Sequence, residues 1–128
     1  MIAWFWRWGP VAAQMAAIFA LSSIAKLPSL PGGLTDHTGH FIGYTLLGSL
    51  ALRGFADARW QGVTSSAAWR SVLLASLYGI TDEYHQSFVP GRTPAVDDWV
   101  VDTAGATIAA LAILWIARTR RSGANRDV

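Results

Sequence analysis

Three stretches of the sequence place polar side chains four residues apart, the spacing that puts side chains on one face of a helix. The three sets are Asp36, His40 and Tyr44; Asp82 and Gln86; and Asp98 and Asp102. Carboxylates beside an imidazole can do general acid–base work, and the same groups can hold a divalent cation. They can also form hydrogen bonds with a bound molecule. These three kinds of chemistry stay open at this point.

Glu83 and Arg92 join these sets from residues 81–106, a stretch rich in charge between two apolar segments. The planar guanidinium of Arg92 suits bidentate contact with a carboxylate or a phosphate. Arg92 is therefore either a structural salt bridge that fixes its loop on the last helix or a ligand for a head-group phosphate. Asp82 and Asp97 are expected at helix ends or behind the residues that contact a ligand, and His37 and His85 are expected at the periphery.

The elements that position these residues are predicted to cross a membrane. The chain has 128 residues, enough for one domain, and only 14% of them are charged while 52% are hydrophobic. That is about half the charged share of soluble domains. Four apolar segments, extended by their polar flanks, reach the roughly 20 residues that a span requires. An all-α integral membrane four-helix bundle is predicted.

The spans are predicted at about 9–27, 36–55, 67–87 and 98–117, followed by a basic, disordered cytoplasmic tail at 118–128. Gly9-Pro10 is expected to open the first span. A soluble bundle would need a polar outer face, and the first and fourth segments show none. A cleavable signal peptide ending near Ala25 is a further alternative. Its apolar run is long for that purpose, and its removal would spoil the charge distribution.

The basic residues sort to one side of a four-span chain. The side that holds both termini and the middle loop carries Arg7, Arg53, Arg59, Arg70, Arg118, Arg120, Arg121 and Arg126, against Lys26 and Arg92 on the other. By the positive-inside rule, both termini are cytoplasmic. The candidate site then lies at the outer ends of the spans. Asp102 is four residues deeper than Asp98, so it is expected to face the bundle interior and to have a partner.

Three motifs in the sequence resemble the VanZ-like membrane protein family. They are Asp36-x-x-x-His40-Phe41-x-x-Tyr44-x-x-Leu47-Gly48, Asp82-Glu83-x-x-Gln86-x-Phe88-Val89-Pro90-Gly91-Arg92, and Asp98-x-x-x-Asp102-x-x-Gly105. The resemblance covers roughly residues 15–115. Two positions depart from the family pattern: His37 stands where lysine is frequent, and Asp102 stands where asparagine is usual. Both departures make the set of residues more acidic.

The resemblance implies an integral protein of the bacterial cytoplasmic membrane, and it implies a link to low-level resistance to the glycopeptide teicoplanin. Glycopeptides act outside that membrane on lipid-linked cell-wall precursors. The first functional hypothesis is therefore an outward-facing polar pocket that binds or handles an anionic envelope lipid or such a precursor. Its ligand-binding residues would be Asp36, His40, Tyr44, Glu83, Gln86, Arg92, Asp98 and Asp102.

Two other hypotheses stand beside it. One is a membrane-embedded hydrolase or transferase, with acid–base groups or with a cation held by Asp36, His40, Glu83 and Asp98. Asp-x-x-x-His is a weak metal motif, and no metal or cofactor is expected. The other is a structural bundle without a ligand, in which Gly39-x-x-x-Gly43 permits close helix contact.

Several function classes are excluded or disfavoured by composition. The chain has no cysteine, which excludes disulfides and thiolate chemistry. Its net charge is +2, and the basic residues outside the tails are scattered along the sequence, which indicates no nucleic-acid partner. Membrane lipids are the partners expected.

Overall fold

The computed structural model describes residues 1–25 and 36–124 as a bundle of α-helices, and no strand occurs among them. The four helices are α1 (Ile2–Ser22), α2 (Asp36–Phe55), α3 (Ser65–Gln86) and α4 (Val96–Ala124). A 3-10 turn, Trp60–Gly62, lies between α2 and α3. The predicted all-α fold of four helices is confirmed.

The first helix begins earlier than expected, at Ile2, so that Pro10 lies inside α1 rather than at its start. A proline within a helix has no N–H to donate, which removes one hydrogen bond to the carbonyl four residues back. That carbonyl belongs to Trp6, and it accepts a hydrogen bond of 2.9 Å from Arg53 Nη1 on α2. The expectation that Gly9-Pro10 begins the helix was wrong. The helix continues through Pro10 because the Arg53 side chain supplies the hydrogen bond that the proline cannot donate.

The last helix extends further than expected, because residues 118–124 continue α4 instead of forming a disordered tail. Arginine favours helix, and two of these arginines are bonded to the start of the third helix. Arg118 donates to Ser65 Oγ at 2.9 Å, and Arg121 donates to the Val63 carbonyl at 2.9 Å. Residues 125–128, the remainder of the predicted tail, lie outside the described part.

Consecutive helices run in opposite directions, and α2 packs against the other three. As a result α2 and α4 run parallel to each other, and their backbones approach closely. A Cβ placed on Gly48 would lie 2.8 Å from Ala106 Cα, and one on Gly105 would lie 2.7 Å from the Phe41 carbonyl oxygen. The close contact is therefore made by Gly48 and Gly105.

The close helix contact through Gly39 and Gly43, which belongs to the hypothesis of a purely structural bundle, is not found among the described residues. A Cβ on Gly39 would meet no atom of the described residues within 4 Å, and one on Gly43 would make only an ordinary 3.8 Å contact with Ile18. These two glycines lie on a face of α2 that does not touch α4.

The two ends of the bundle carry opposite charges. The polar end consists of the C-termini of α1 and α3 and the N-termini of α2 and α4. It holds His37, His40, Asp82, Glu83, His85, Arg92, Asp97, Asp98 and Asp102. The arginine end holds Arg7, Arg53, Arg59, Arg70, Arg118, Arg120 and Arg121. Lys26 and Arg126 lie outside the described residues.

Large apolar side chains face outward along every helix. The exposed ones include Phe19 on α1, Leu46 on α2, Leu73 and Leu77 on α3, and Leu111 on α4. By length and composition, α4 is the described helix that qualifies as a membrane span, with a mean hydropathy of 1.9 in a window that is 39% buried. This composition is consistent with membrane association.

Candidate functional site

The candidate site lies at the polar end, where α2, α3 and α4 meet. We call it the polar cluster, and it consists of His40, Tyr44, Asp82, Glu83, Gln86, Asp98 and Asp102. At its centre, His40 Nδ1 lies 3.0 Å from Asp102 Oδ1, between side chains that are 9% and 0% exposed. An ionised carboxylate only accepts hydrogen bonds, so Nδ1 is the donor. Asp102 thus has the interior partner that its depth requires.

Asp98 lies one helical turn above Asp102 and is also buried. His37 Nε2 is 3.1 Å from Asp98 Oδ1 and 3.4 Å from Asp97 Oδ2. His37 and Asp97 are exposed, in agreement with their expected peripheral position. His37 therefore covers the outer side of the cluster.

Asp82 is buried near the C-terminal end of α3. Gln86 Nε2 donates to Asp82 Oδ2 at 3.3 Å, and both side chains face the interior. The buried face of α3 runs through Ser71, Ala75 and Gly79 before it reaches these two residues. This spacing of small residues was the signal that could have placed Asp82 inside.

Glu83 connects α3 to the start of α4. Its Oε2 accepts a 2.7 Å hydrogen bond from the Ala95 backbone N–H, just before α4 begins. Its other oxygen, Oε1, is buried without a hydrogen-bond partner. One oxygen of Glu83 is structural, and the other faces the cluster.

Arg92 bonds to α1. Its Nε donates to the Ile24 carbonyl at 3.1 Å, and Nη2 lies 3.5 Å from the Leu21 carbonyl oxygen. A cation at a helix C-terminus is favourable because the last carbonyls carry partial negative charge. These two contacts anchor Arg92 on the C-terminal end of α1.

Two other residues singled out in the sequence, Asp36 and His85, are not part of the polar cluster as the structure describes it. Asp36 begins α2, but its side chain lies outside the described part of the structure. His85 bonds Ser23 Oγ at 3.0 Å and stacks on Phe19, which places it on the α1 side as a peripheral residue.

The cluster holds more hydrogen-bonding capacity than it uses. Six buried side-chain oxygens of the described residues have no hydrogen-bond partner: Tyr44 Oη, Thr45 Oγ1, Asp82 Oδ1, Glu83 Oε1, Asp98 Oδ1 and Asp102 Oδ2. All but Thr45 belong to the polar cluster. An unpaired polar atom in an interior costs about 1–3 kcal/mol, so each of these oxygens is an acceptor available to water, to a donor group or to a cation.

The charges in the cluster do not balance. Asp82, Asp98 and Asp102 are buried and Glu83 is half-buried, whereas His40 is the one residue of the cluster that can carry a positive charge. Buried carboxylates require pairing, a bound cation or a proton. One ligand atom each from His40, Glu83 and Asp98 lie within 4.8 Å of one another, so these three residues can hold a metal ion.

A shallow cleft opens beside Glu83 on the outward-facing surface of the bundle, between the end of α3 and the start of α4. Its volume is about 250 Å³, and its lining is Ile80, Glu83, Pro94, Ala95, Val96 and Trp99. The cleft joins the apolar outer surface to the edge of the polar cluster.

Fold and site together define a class of protein: a helical bundle that encloses carboxylates, an imidazole and a phenol at one end and presents apolar side chains outward. A family model described as VanZ/LLP1 matches residues 38–118, which run from the first turn of α2 into the last turns of α4. This match covers more than half of the chain, so the protein belongs to the VanZ/LLP1 family, as its motifs indicated. Among curated proteins and among solved structures, no match was found.

Proposed function

We propose that this protein crosses the cytoplasmic membrane of a bacterium four times and binds the head group of an envelope lipid at its polar end. The observation that carries the proposal is a distribution of polarity opposite to that of a soluble protein. Carboxylates and an amide are buried between the helices, while large apolar side chains face outward on all four. Extended apolar surfaces mark contacts with proteins or membranes, and lipid covers all sides of a bundle at once.

The dimensions of the helices support four spans. The shortest, α2, has 20 residues, and at 1.5 Å per residue it is about 30 Å long, the thickness of the hydrocarbon core. The mean hydropathy of α1 is reduced by Arg7 and Gln14, whose side chains donate to the carbonyls of Gly54 and Gly43 on α2. These hydrogen bonds to α2 reduce the cost of placing the two polar side chains within a bilayer.

The arginine end supports a cytoplasmic position for both termini. Five exposed tryptophans lie toward the same end: Trp4, Trp6, Trp60, Trp69 and Trp115. Tryptophan is enriched where bilayer and water meet, so this end fits an interface. The polar cluster then opens toward the outer surface, where lipid-linked cell-wall precursors are displayed.

The cleft beside Glu83 is the proposed entry for the lipid. A chain can lie against Ile80, Pro94 and Trp99 while the head group reaches the cluster. Because the cluster is acidic, the part that enters must carry hydroxyl or ammonium donors, or a phosphate with its own cation. The anionic phosphate of the lipid is assigned to Arg92 at the same end, whose guanidinium carries five donors.

The unpaired oxygens favour a ligand over a purely structural bundle. Helices that pair only with each other leave few buried polar atoms unsatisfied, yet five such atoms converge in the polar cluster. Binding of a lipid-linked precursor at this position would alter susceptibility to teicoplanin, which acts on such precursors.

Native mass spectrometry of tag-free protein in mild detergent tests the proposal. Phosphatidylglycerol, phosphatidylethanolamine and a polyprenyl pyrophosphate are added in turn, and we expect one lipid to remain bound. Ala95→Trp fills the cleft while keeping the backbone N–H that Glu83 accepts. We expect it to weaken retention by at least about tenfold, equivalent to about 1.4 kcal/mol.

Ala112→Trp is the matched control, because Ala112 is exposed near the middle of α4, away from the cleft. It should retain lipid like the unmodified protein. Failure of the unmodified protein to retain any of the three lipids, or equal loss in both variants, would reject the site.

A further inference from the structure

We propose that the polar cluster binds one divalent cation of the Zn²⁺ or Mn²⁺ type through His40, Glu83 and Asp98. These residues come from α2, α3 and α4, and one ligand atom of each lies within 4.8 Å of the other two. An ion at the centre of such a triangle would lie no more than about 2.8 Å from each donor. Ligand bonds to Zn²⁺ are about 2.0–2.2 Å, so each side chain needs to move inward by no more than about 0.7 Å.

The orientation of His40 is the first independent support. Histidines that bind metals usually donate the N–H of the other ring nitrogen to a carboxylate, which fixes the ring and raises its basicity. His40 Nδ1 makes this contact with Asp102 Oδ1 at 3.0 Å. Nε2, on the opposite side of the ring, is then the nitrogen for the cation.

The state of the two carboxylates is the second support. Asp98 is 7% exposed, and both its Oδ1 and Glu83 Oε1 are buried without a hydrogen-bond partner. His37 reaches Asp98 Oδ1 from the outer side at ion-pair distance. Carboxylate oxygens without a hydrogen bond, next to an imidazole, are the ligand set of a borderline divalent ion.

The charge balance indicates why a cation belongs there. Four carboxyl groups of the cluster face one imidazole, which is neutral when it binds a metal, and a divalent cation offsets half of the four negative charges. The inference goes beyond lipid binding, because the ion needs no lipid in order to bind. From the sequence, a cation was considered only as part of the hydrolase or transferase hypothesis.

The test uses tag-free, chelator-treated protein in detergent, titrated with ZnCl₂ or MnCl₂ alone and followed by calorimetry and elemental analysis. We expect one bound ion per chain and a higher unfolding temperature. Asp98→Asn and Glu83→Gln keep the shape of each side chain and remove its charge. We expect each to weaken binding by more than the about 10–100-fold typical of losing an outer partner.

Asp97→Asn is the control, because Asp97 is adjacent to Asp98 while its side chain is 72% exposed. It should bind the ion like the unmodified protein, and circular dichroism checks that every variant is helical. The proposal is overturned if the unmodified protein binds no stoichiometric Zn²⁺ or Mn²⁺. Undiminished binding by Asp98→Asn and Glu83→Gln, or binding that depends on Asp97, also overturns it.

Discussion

At the scale of single residues, Asp102 combines a satisfied and an unsatisfied oxygen in one fully buried carboxyl group. Oδ1 accepts from His40, while Oδ2 has no hydrogen-bond partner and faces Gly79 of α3. Other carboxylates surround it within the polar cluster. Its negative charge is therefore costly, whereas its oxygen acceptor is necessary for His40.

Substitution of Asp102 should separate these two effects. Asp102→Ala leaves the imidazole N–H of His40 without an acceptor, which should cost about 1–3 kcal/mol of stability. Asp102→Asn retains the acceptor and removes one charge, so in metal-free protein its stability should equal or exceed that of the unmodified chain. Thermal unfolding followed by circular dichroism in detergent measures both. An alanine variant as stable as the unmodified protein would contradict the assigned role.

The residues of the site were predictable to the extent that they share a helix. Spacing of four residues placed His40 with Tyr44 and Asp98 with Asp102 on common faces. The partnership of His40 with Asp102 joins positions 62 apart, and it depends on α2 and α4 being parallel neighbours, which no local pattern specifies. Arg92 is similar, because its partners on α1 are backbone carbonyls, and these carry no sequence signature.

At the scale of helices, the α2–α4 contact decides the geometry of the polar cluster. Gly48 and Gly105 permit this contact because any side chain there would meet backbone atoms of the other helix. Backbone cannot rotate out of the way as a side chain can. The distance between the two helices is therefore set by the absence of side chains at these two positions.

Gly48→Ala should push α2 away from α4 and cost about 1–3 kcal/mol, the usual penalty for overpacking. The same displacement would lengthen the contact between His40 and Asp102. Unfolding in detergent measures the loss, and Gly39→Ala serves as the control. Gly39 has open space around it among the described residues, so alanine there should be neutral or should add up to about 1 kcal/mol from helix propensity. Equal effects of the two substitutions would refute the contact.

The helices themselves were largely predictable. Apolar segments bounded by proline, glycine and polar clusters identified all four, and α2 has the bounds expected. The errors occurred where tertiary hydrogen bonds override local signals. Arg53 compensates for Pro10, and contacts of Arg118 and Arg121 with residues at the start of α3 extend α4 beyond the apolar segment.

At the scale of the whole molecule, separation of charge between the two ends leads to a prediction about topology. The chain has no cysteine, so single cysteines can be introduced without interference. Thr93→Cys lies in the exposed loop of the polar end, and Ser122→Cys lies at the exposed end of α4. In intact cells, a membrane-impermeant thiol reagent should label only the first. Labelling of Ser122→Cys alone would reverse the orientation, and labelling of both would argue against a sealed bilayer between them.

The anchoring of α1 has a consequence for biosynthesis. Its carbonyls at Met15 and Ile24 accept hydrogen bonds from Tyr78 and Arg92, residues that leave the ribosome long after α1 does. In the proposed four-span topology, the first helix therefore enters the bilayer before the residues that anchor it have been synthesised. In a nascent chain arrested ahead of position 92, α1 would lack its hydrogen bond from Arg92 and would be accessible to quality-control proteases.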